Sequence, residues 1–205
     1  LGSTLVDIGF EKTSLGLFKN FAVVHSITFP VGINHIVKDI SKVCSLSLKE
    51  AENIKNKIDF SFKDENDLFD ANGNLLKIYF EDSNFRKISK TLILNVVKAR
   101  LDEILEIIKK QINSIEPNLT FDGNLFVVGG GSNILNLENY CSKFFGLNIK
   151  KLEINNKNEF DQNFASCLGA MKIITEGWET EAIPEPFNKK DEKIGFLGKI
   201  FRNTA

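Results

Sequence analysis

An α/β fold is what this sequence predicts, on three observations. Residues 4–30 alternate apolar and polar positions as three short strands separated by reversals. In the last third, strand-like and helix-like segments take turns, which implies parallel pairing in a sheet. Two of the strands run directly into glycine-bearing turns, Asp7-Ile8-Gly9 and Gly129-Gly130-Gly131-Ser132, where backbone can approach a bound group closely.

Taken in order, Thr4-Leu5-Val6 delivers Asp7 and Gly9 into a tight reversal, after which Leu15, Leu17 and Phe18 begin a second strand. Lys19-Asn20 reverses the chain again into AVVHSITF. Ile36, Ile40, Val43 and Cys44 recur at helical spacing and predict an amphipathic helix over 35–44. Ser47-Leu48-Lys49-Glu50 is a capping box: Ser47 caps an amide, Glu50 reaches back, and a helix follows to about Ile58. With Glu50 engaged at the cap, Glu52 and Lys55 are that helix's free polar groups, and their three-residue spacing sets them on one face. Asp70-Ala71-Asn72-Gly73 is a turn ahead of an expected strand over 75–80. Ile88, Leu92, Val96, Leu101, Ile104, Leu105, Ile108 and Ile112 mark a long amphipathic helix over 85–115, ended by Pro117. A buried strand over 124–128 then meets the glycines. Beyond them come a helix over 135–146 closed by Gly146, a strand over 147–154 and a helix over 160–174.

After Glu176 the composition changes. An acidic, proline-containing linker leads to a basic tail in which Ile194, Leu197, Ile200 and Phe201 share one helical face, with Phe196 at its edge. Lys193, Lys199 and Arg202 flank that face, so 193–202 is expected to lie on an anionic membrane surface.

Composition narrows the function classes. With 205 residues and a formal charge of −1, the chain has no basic excess to displace counterions, which removes nucleic acid as a partner. No apolar run reaches the roughly 18 residues of a membrane span. Cys44, Cys141 and Cys167 are odd in number, far apart and set in apolar helical patterns, the usage of buried thiols in a reducing compartment. Met171 is the only methionine and no signal sequence explains the missing start, so the expectation is a chain that begins mid-gene. His25 and His35 read as packing or capping residues, since neither has a Ser or Cys partner to activate, and Trp178 reads as a loop anchor.

Glycines let amides approach phosphate oxygens without a Cβ in the way, and a helix N-terminus adds partial positive charge. Either glycine turn alone is equally a plain structural connection, and Asp7 alone is equally a satisfied strand-end residue. Two such turns with a Glu-x-x-Lys helix between them point more firmly to a nucleotide.

In that order of motifs the sequence resembles the second half of the actin-like ATPases, and among them the FtsA family of bacterial cell-division proteins. LVDIG with KTS and LGLF is similar to that family's second phosphate loop, usually an Asp-x-Gly-Gly-Gly-Thr-Thr run. HSITFPVGINHIVKDIS resembles its hairpin-to-helix segment, AENIK the helix whose Glu and Lys face the nucleoside, ARLDEILEII its long helix, and VVGGGSNILNLENY its adenosine motif. The resemblance runs from Thr4 to about Ile174. It implies an actin-like (ribonuclease H-like) ATPase fold, here the second-half domain with an inserted α/β subdomain and a C-terminal amphipathic tail. Residues 1–32 would open subdomain IIA, 33–121 form the inserted subdomain IIB with its long return helix, and 122–176 complete IIA. A linker over 177–192 and a membrane-targeting tail over 193–205 would follow.

The same resemblance implies ATP and Mg2+ as cofactors. Asp7 would orient magnesium through water, and the backbone of Gly9, Phe10, Glu11, Lys12 and Thr13 would meet the outer phosphates. Gly129, Gly130, Gly131 and Ser132 would line the adenosine, with Glu52 and Lys55 on the ribose and base. It implies at most weak ATPase activity, with no catalytic residue in this chain. Its partners would be the C-terminal peptide of the tubulin-like division protein FtsZ, further copies in a filament and other division proteins. Its location would be the inner, anionic face of the cytoplasmic membrane. A type IV pilus assembly protein resembling PilM and a metabolite kinase of the same superfold are the competing readings; the basic amphipathic tail favours FtsA over both.

The turn departs from the family pattern. Phe10, Glu11 and Lys12 stand where Gly, Gly and Thr are usual, and Ser14 where Asp is usual. Amides still point inward from such residues if φ stays negative, so retained ATP binding is the expectation, and a degenerate site that keeps only the fold is the alternative. A carboxylate at Glu11 about 5 Å from a phosphate charge costs roughly 3 kcal/mol at an effective dielectric near 20. Lys12 offsets much of that if it pairs with Glu11 or with the phosphate.

Overall fold

The computed structural model describes residues 2–19, 22–61, 67–115, 125–146, 149–151 and 164–176. Its centre is a five-stranded mixed sheet in the order β3-β2-β1-β4-β5. The expected meander is there: β1 (Gly2–Ile8), β2 (Thr13–Lys19) and β3 (Ala22–Phe29) pair antiparallel in sequence. β4 (Leu125–Val128) then lies parallel beside β1, and β5 (Lys150–Lys151) parallel beside β4. Strand periodicity puts Thr4, Val6 and Ile8 of β1 on one buried face with Thr13, Leu15 and Leu17 of β2.

Helix α1 (Ile33–Cys44) shares that core through Ile33, Ile36, Val37 and Ile40. α2 (Leu48–Lys57) follows, and then α3 (Lys90–Ile115), which buries Ile93, Val97, Leu101, Ile104, Leu105, Ile108 and Ile112 at helical spacing. Arg100 on α3 grips Asp39 on α1 with two hydrogen bonds, Nε to Oδ2 at 2.5 Å and Nη2 to Oδ1 at 3.1 Å, and a third goes from Nη1 to Glu103 at 2.6 Å. α4 (Leu137–Phe145) ends at Gly146, whose φ of 69° is the left-handed cap conformation. α5 is Ala165–Glu176.

Four expectations change. α1 begins two residues before the periodicity, because the amides of Ile33 and Asn34 find acceptors in the turn after β1. The strand expected over 75–80 is absent: Leu75 and Asn74 each make a single bridge, to Phe69 and Ser89, and Lys77–Tyr79 curls into a short 3-10 turn. α3 starts at Lys90 and not at 85, since Asp82 and Ser83 are held by Glu50 and Ser89 accepts the Leu92 and Ile93 amides at the helix start. Cys44 and Cys141 are buried as expected, but Cys167 is exposed on α5; all three are free thiols.

The linker, Trp178 and the tail from Lys193 to Arg202 lie outside the described residues. Among the described residues no helix is long and apolar enough to cross a membrane.

Candidate functional site

β1 and β4 run parallel with Asp7 opposite Val128, so their C-terminal ends lie side by side and each leads into its glycine turn. This is the edge at which α/β sheets generally hold ligands. Alternation sets Asp7 on the sheet face opposite buried Val6 and Ile8. Burial raises the pKa of its carboxyl above the ordinary carboxylate value.

The first turn closes when the Gly9 N–H donates to the Lys12 carbonyl at 2.9 Å. Thr13 begins β2, and its hydroxyl donates to the Val31 carbonyl at 2.7 Å. None of Phe10, Glu11 and Lys12 has a positive φ, which is why the turn forms without the missing glycines. The N-terminus of α1 docks on it: Ile33 N–H donates to the Gly9 carbonyl at 3.1 Å and Asn34 N–H to the Phe10 carbonyl at 2.8 Å. A trans peptide points its N–H opposite to its C=O. The amides of Phe10 and Glu11 therefore aim away from α1, and neither has a hydrogen-bond acceptor among the described residues. Successive free amides of this kind make an anion-binding concavity.

Three glycines carry the close approaches. A Cβ at Gly32 would sit 2.6 Å from the carbonyl oxygens of both Gly9 and Phe10 and 2.8 Å from the Lys12 nitrogen. At Gly129, where φ is +86°, it would meet Asp7 Oδ1 at 2.1 Å and the Ile8 carbonyl oxygen at 2.8 Å. At Gly131 it would meet Ile8 Cγ2 at 2.7 Å and the Ile8 carbonyl oxygen at 2.8 Å. The two turns thus touch, with the Asp7 carboxylate against Gly129. Gly130–Asn133 forms a single 3-10 turn that carries Ser132.

Glu11 does not stand free in the turn. Asn34 Nδ2 donates to its Oε1 at 2.5 Å and Lys38 Nζ to its Oε2 at 3.4 Å, the amide foremost in holding its pKa below the ordinary value. Lys12 was expected to pair either with Glu11 or with the phosphate, and it does not pair with Glu11. It makes no ion pair among the described residues.

Glu52 and Lys55 lie on α2 as expected, Glu52 exposed and Lys55 half-buried. Burial lowers the Lys55 pKa and the charge of Glu52 works the other way. Neither hydrogen-bonds to the glycine turns among the described residues. The stretch following α2 does reach the second turn: Phe60 N–H donates to the Leu135 carbonyl at 2.9 Å, and Asn136 Nδ2 to Asp59 Oδ1 at 2.9 Å. His35 is a capping residue, its Nδ1 accepting from the Gly32 N–H at 3.2 Å.

Sequence reasoning did not assign Gly32, Asn34 or Lys38. Asn34 and Lys38 are four apart, hence on one face of α1, and a helix N-terminus directly after the meander was the available signal.

The residues fit a polyphosphate: the Phe10 and Glu11 amides without an acceptor and the Lys12 ammonium without an ion pair among the described residues, over a glycine floor. One carboxylate suits a magnesium ion held through water, as such ions are commonly bound.

Several solved structures share this architecture. MreB5 of Spiroplasma citri bound to ADP superimposes with a TM-score of 0.64 at 23% identity, over 85% of this chain and 54% of that one. A PilM–PilN type IV pilus biogenesis complex gives 0.57 at 18% identity, over 82% of this chain and 44% of that one. The fold is that of the actin-like ATPase class. A family model described as "Cell division protein FtsA" matches residues 4–169, and the chain belongs to that family. Among curated relatives, the cell division protein FtsA of Buchnera aphidicola subsp. Baizongia pistaciae is 27% identical over 158 residues, 73% of this chain and 37% of that protein. The FtsA of Bacillus subtilis is 29% identical over 132 residues, 64% of this chain and 29% of that protein. The chain thus spans about a third of the length of these relatives.

Proposed function

We propose that this chain supplies one wall of an ATP site in an actin-like cell-division protein. That protein would polymerise and tether FtsZ, with other division proteins, to the inner face of the cytoplasmic membrane. The observation that carries the reading is the convergence of the Asp7 turn, the Gly129–Ser132 turn and the N-terminus of α1, with the Phe10 and Glu11 amides lacking an acceptor among the described residues. In this reading the turn from Gly9 to Thr13 meets the outer phosphates through its Phe10 and Glu11 amides, the Gly9 N–H being taken up by the Lys12 carbonyl, with the Lys12 ammonium as counter-charge. Asp7 holds water on magnesium, Gly129, Gly130, Gly131 and Ser132 line the adenosine, and Glu52 and Lys55 meet the ribose and base. Bound Mg-ATP supplies the bridging charge; the chain's own part is to bind and orient, and no residue here is assigned to attack on the γ-phosphate. The subdomain division at residues 32 and 121 and the membrane role of Lys193, Ile194, Phe196, Leu197, Lys199, Ile200, Phe201 and Arg202 belong to the same proposal.

The PilM likeness rests on fold alone, whereas the FtsA match rests on sequence over 4–169. Co-sedimentation tests the proposal. The full-length polypeptide with Mg-ATP should pellet with vesicles containing anionic lipid, and Leu197→Glu with Phe201→Glu should leave it in the supernatant. A double variant that pellets as well as the parent removes the tail from the account.

A further inference from the structure

Glu11 occupies a position where a carboxylate close to a polyphosphate would be repelled, and its surroundings answer that difficulty. Asn34 is nearly fully buried, and its amide donates to Glu11 Oε1 at 2.5 Å. Lys38, one helical turn on, donates to Oε2 at 3.4 Å. From the same helix end, Ile33 and Asn34 donate their backbone amides to the Gly9 and Phe10 carbonyls. Gly32 lets the two segments close to a distance that any Cβ would prevent. Turn and helix are therefore joined by two backbone bonds and one forked side-chain contact.

The geometry points to Glu11 as a positioning residue that latches the turn onto α1 and so presents the Phe10 and Glu11 amides to an anionic polyphosphate. The reasoning compares two effects. Repulsion weakens with the distance of the carboxylate from the phosphates and with counter-charge beside it; here both its oxygens are turned to α1, one bonded to a neutral amide and the other to an ammonium. The ion pair with Lys38 is exposed on both sides and contributes little by itself. The bond to buried Asn34 contributes more, because it is charge-assisted and leaves Asn34 without this partner when lost. Glycine at this position would remove the repulsion and the latch together, and the latch is the larger loss. What the turn binds rests on the nucleotide reading above; what holds the turn does not.

Two readouts on the full-length polypeptide separate these. Amide hydrogen exchange at Ile33 and Asn34, without nucleotide, should be about tenfold faster in Glu11→Ala and in Asn34→Ala, and no faster still in the double variant. Glu11→Gln keeps an acceptor for Asn34 and should return exchange to within about threefold of the parent. Titration with Mg-ATP should show Glu11→Ala and Glu11→Gly binding about tenfold more weakly. Unchanged exchange in Glu11→Ala overturns the latch, as does tighter Mg-ATP binding by Glu11→Gly. If the parent binds no Mg-ATP the nucleotide reading fails, and the exchange rates alone then decide the latch.

Discussion

Single residues in this protein are fixed by contacts that leave almost no freedom of substitution. Glu50 is fully buried, yet its carboxylate accepts from Ser47 N–H at 2.7 Å, Asp82 N–H at 2.8 Å, Ser83 N–H at 2.9 Å and the Ser83 hydroxyl at 2.5 Å. Burial works against the charge, but the bonds from Ser83, Ser47 and Asp82 outweigh it and bring the pKa down from 4.5 to about 2. A folded-state pKa below the unfolded value means stabilisation that is complete above about 4.5 and lost as pH falls through about 2. Glu50→Gln should therefore cost about 2 kcal/mol at neutral pH by urea denaturation, and the difference from the parent should close across that acid window. Gly129 is constrained differently. Its φ of +86° and the 2.1 Å approach of Asp7 Oδ1 to a Cβ make Gly129→Ala strained and overpacked at once. A loss of roughly 2–4 kcal/mol in denaturation is expected; a loss below about 0.5 kcal/mol means that the two turns do not meet as described.

At the scale of elements, α1 links the sheet to α3. One face packs Ile36 and Ile40 into the core, its N-terminus seats the first turn, and Asp39 carries the Arg100 contact to α3. Leu101 of α3 is wholly buried in that core, so Leu101→Ala should cost about 3 kcal/mol in stability and leave secondary structure content unchanged by circular dichroism. Much of this was legible. The strand periods of β1 to β3, the Ser47–Glu50 capping box and the αL Gly146 cap each depend on residues within one turn or strand, and each appears where the pattern set it. What was not legible depends on partners distant in sequence. The apolar residues at 75–80 satisfy a strand pattern, but Leu75 N–H goes to the Ile88 carbonyl and Leu76 N–H to the Leu68 carbonyl, and the next residues turn away. The donors to Glu50 from beyond its own helix lie 32 and 33 residues on, and the five residues of periodic sequence that follow them, 85–89, lead into α3 without joining it. Glu11 read as a carboxylate near the phosphates with only Lys12 beside it, because the residues that hold it, Asn34 and Lys38, lie 23 and 27 positions away.

For the whole molecule, the chain covers 29–37% of the length of the first three curated relatives, and the nucleotide site proposed above has only one wall in it, where ligand sites are commonly enclosed between domains. The 205 residues alone should fold with a cooperative transition and bind Mg-ATP only weakly, which equilibrium titration of the chain reads directly. The central claim is that the Asp7 turn and the Gly129–Ser132 turn together hold a nucleotide. Isothermal titration of Mg-ATP into the full-length polypeptide, beside Gly131→Val, tests it most directly. A side chain at 131 collides with Ile8 at the meeting of the turns, so the parent should bind and the variant should lose at least about tenfold in affinity while remaining folded. Equal affinity for the parent and a folded Gly131→Val, or no binding by the parent, would contradict the claim.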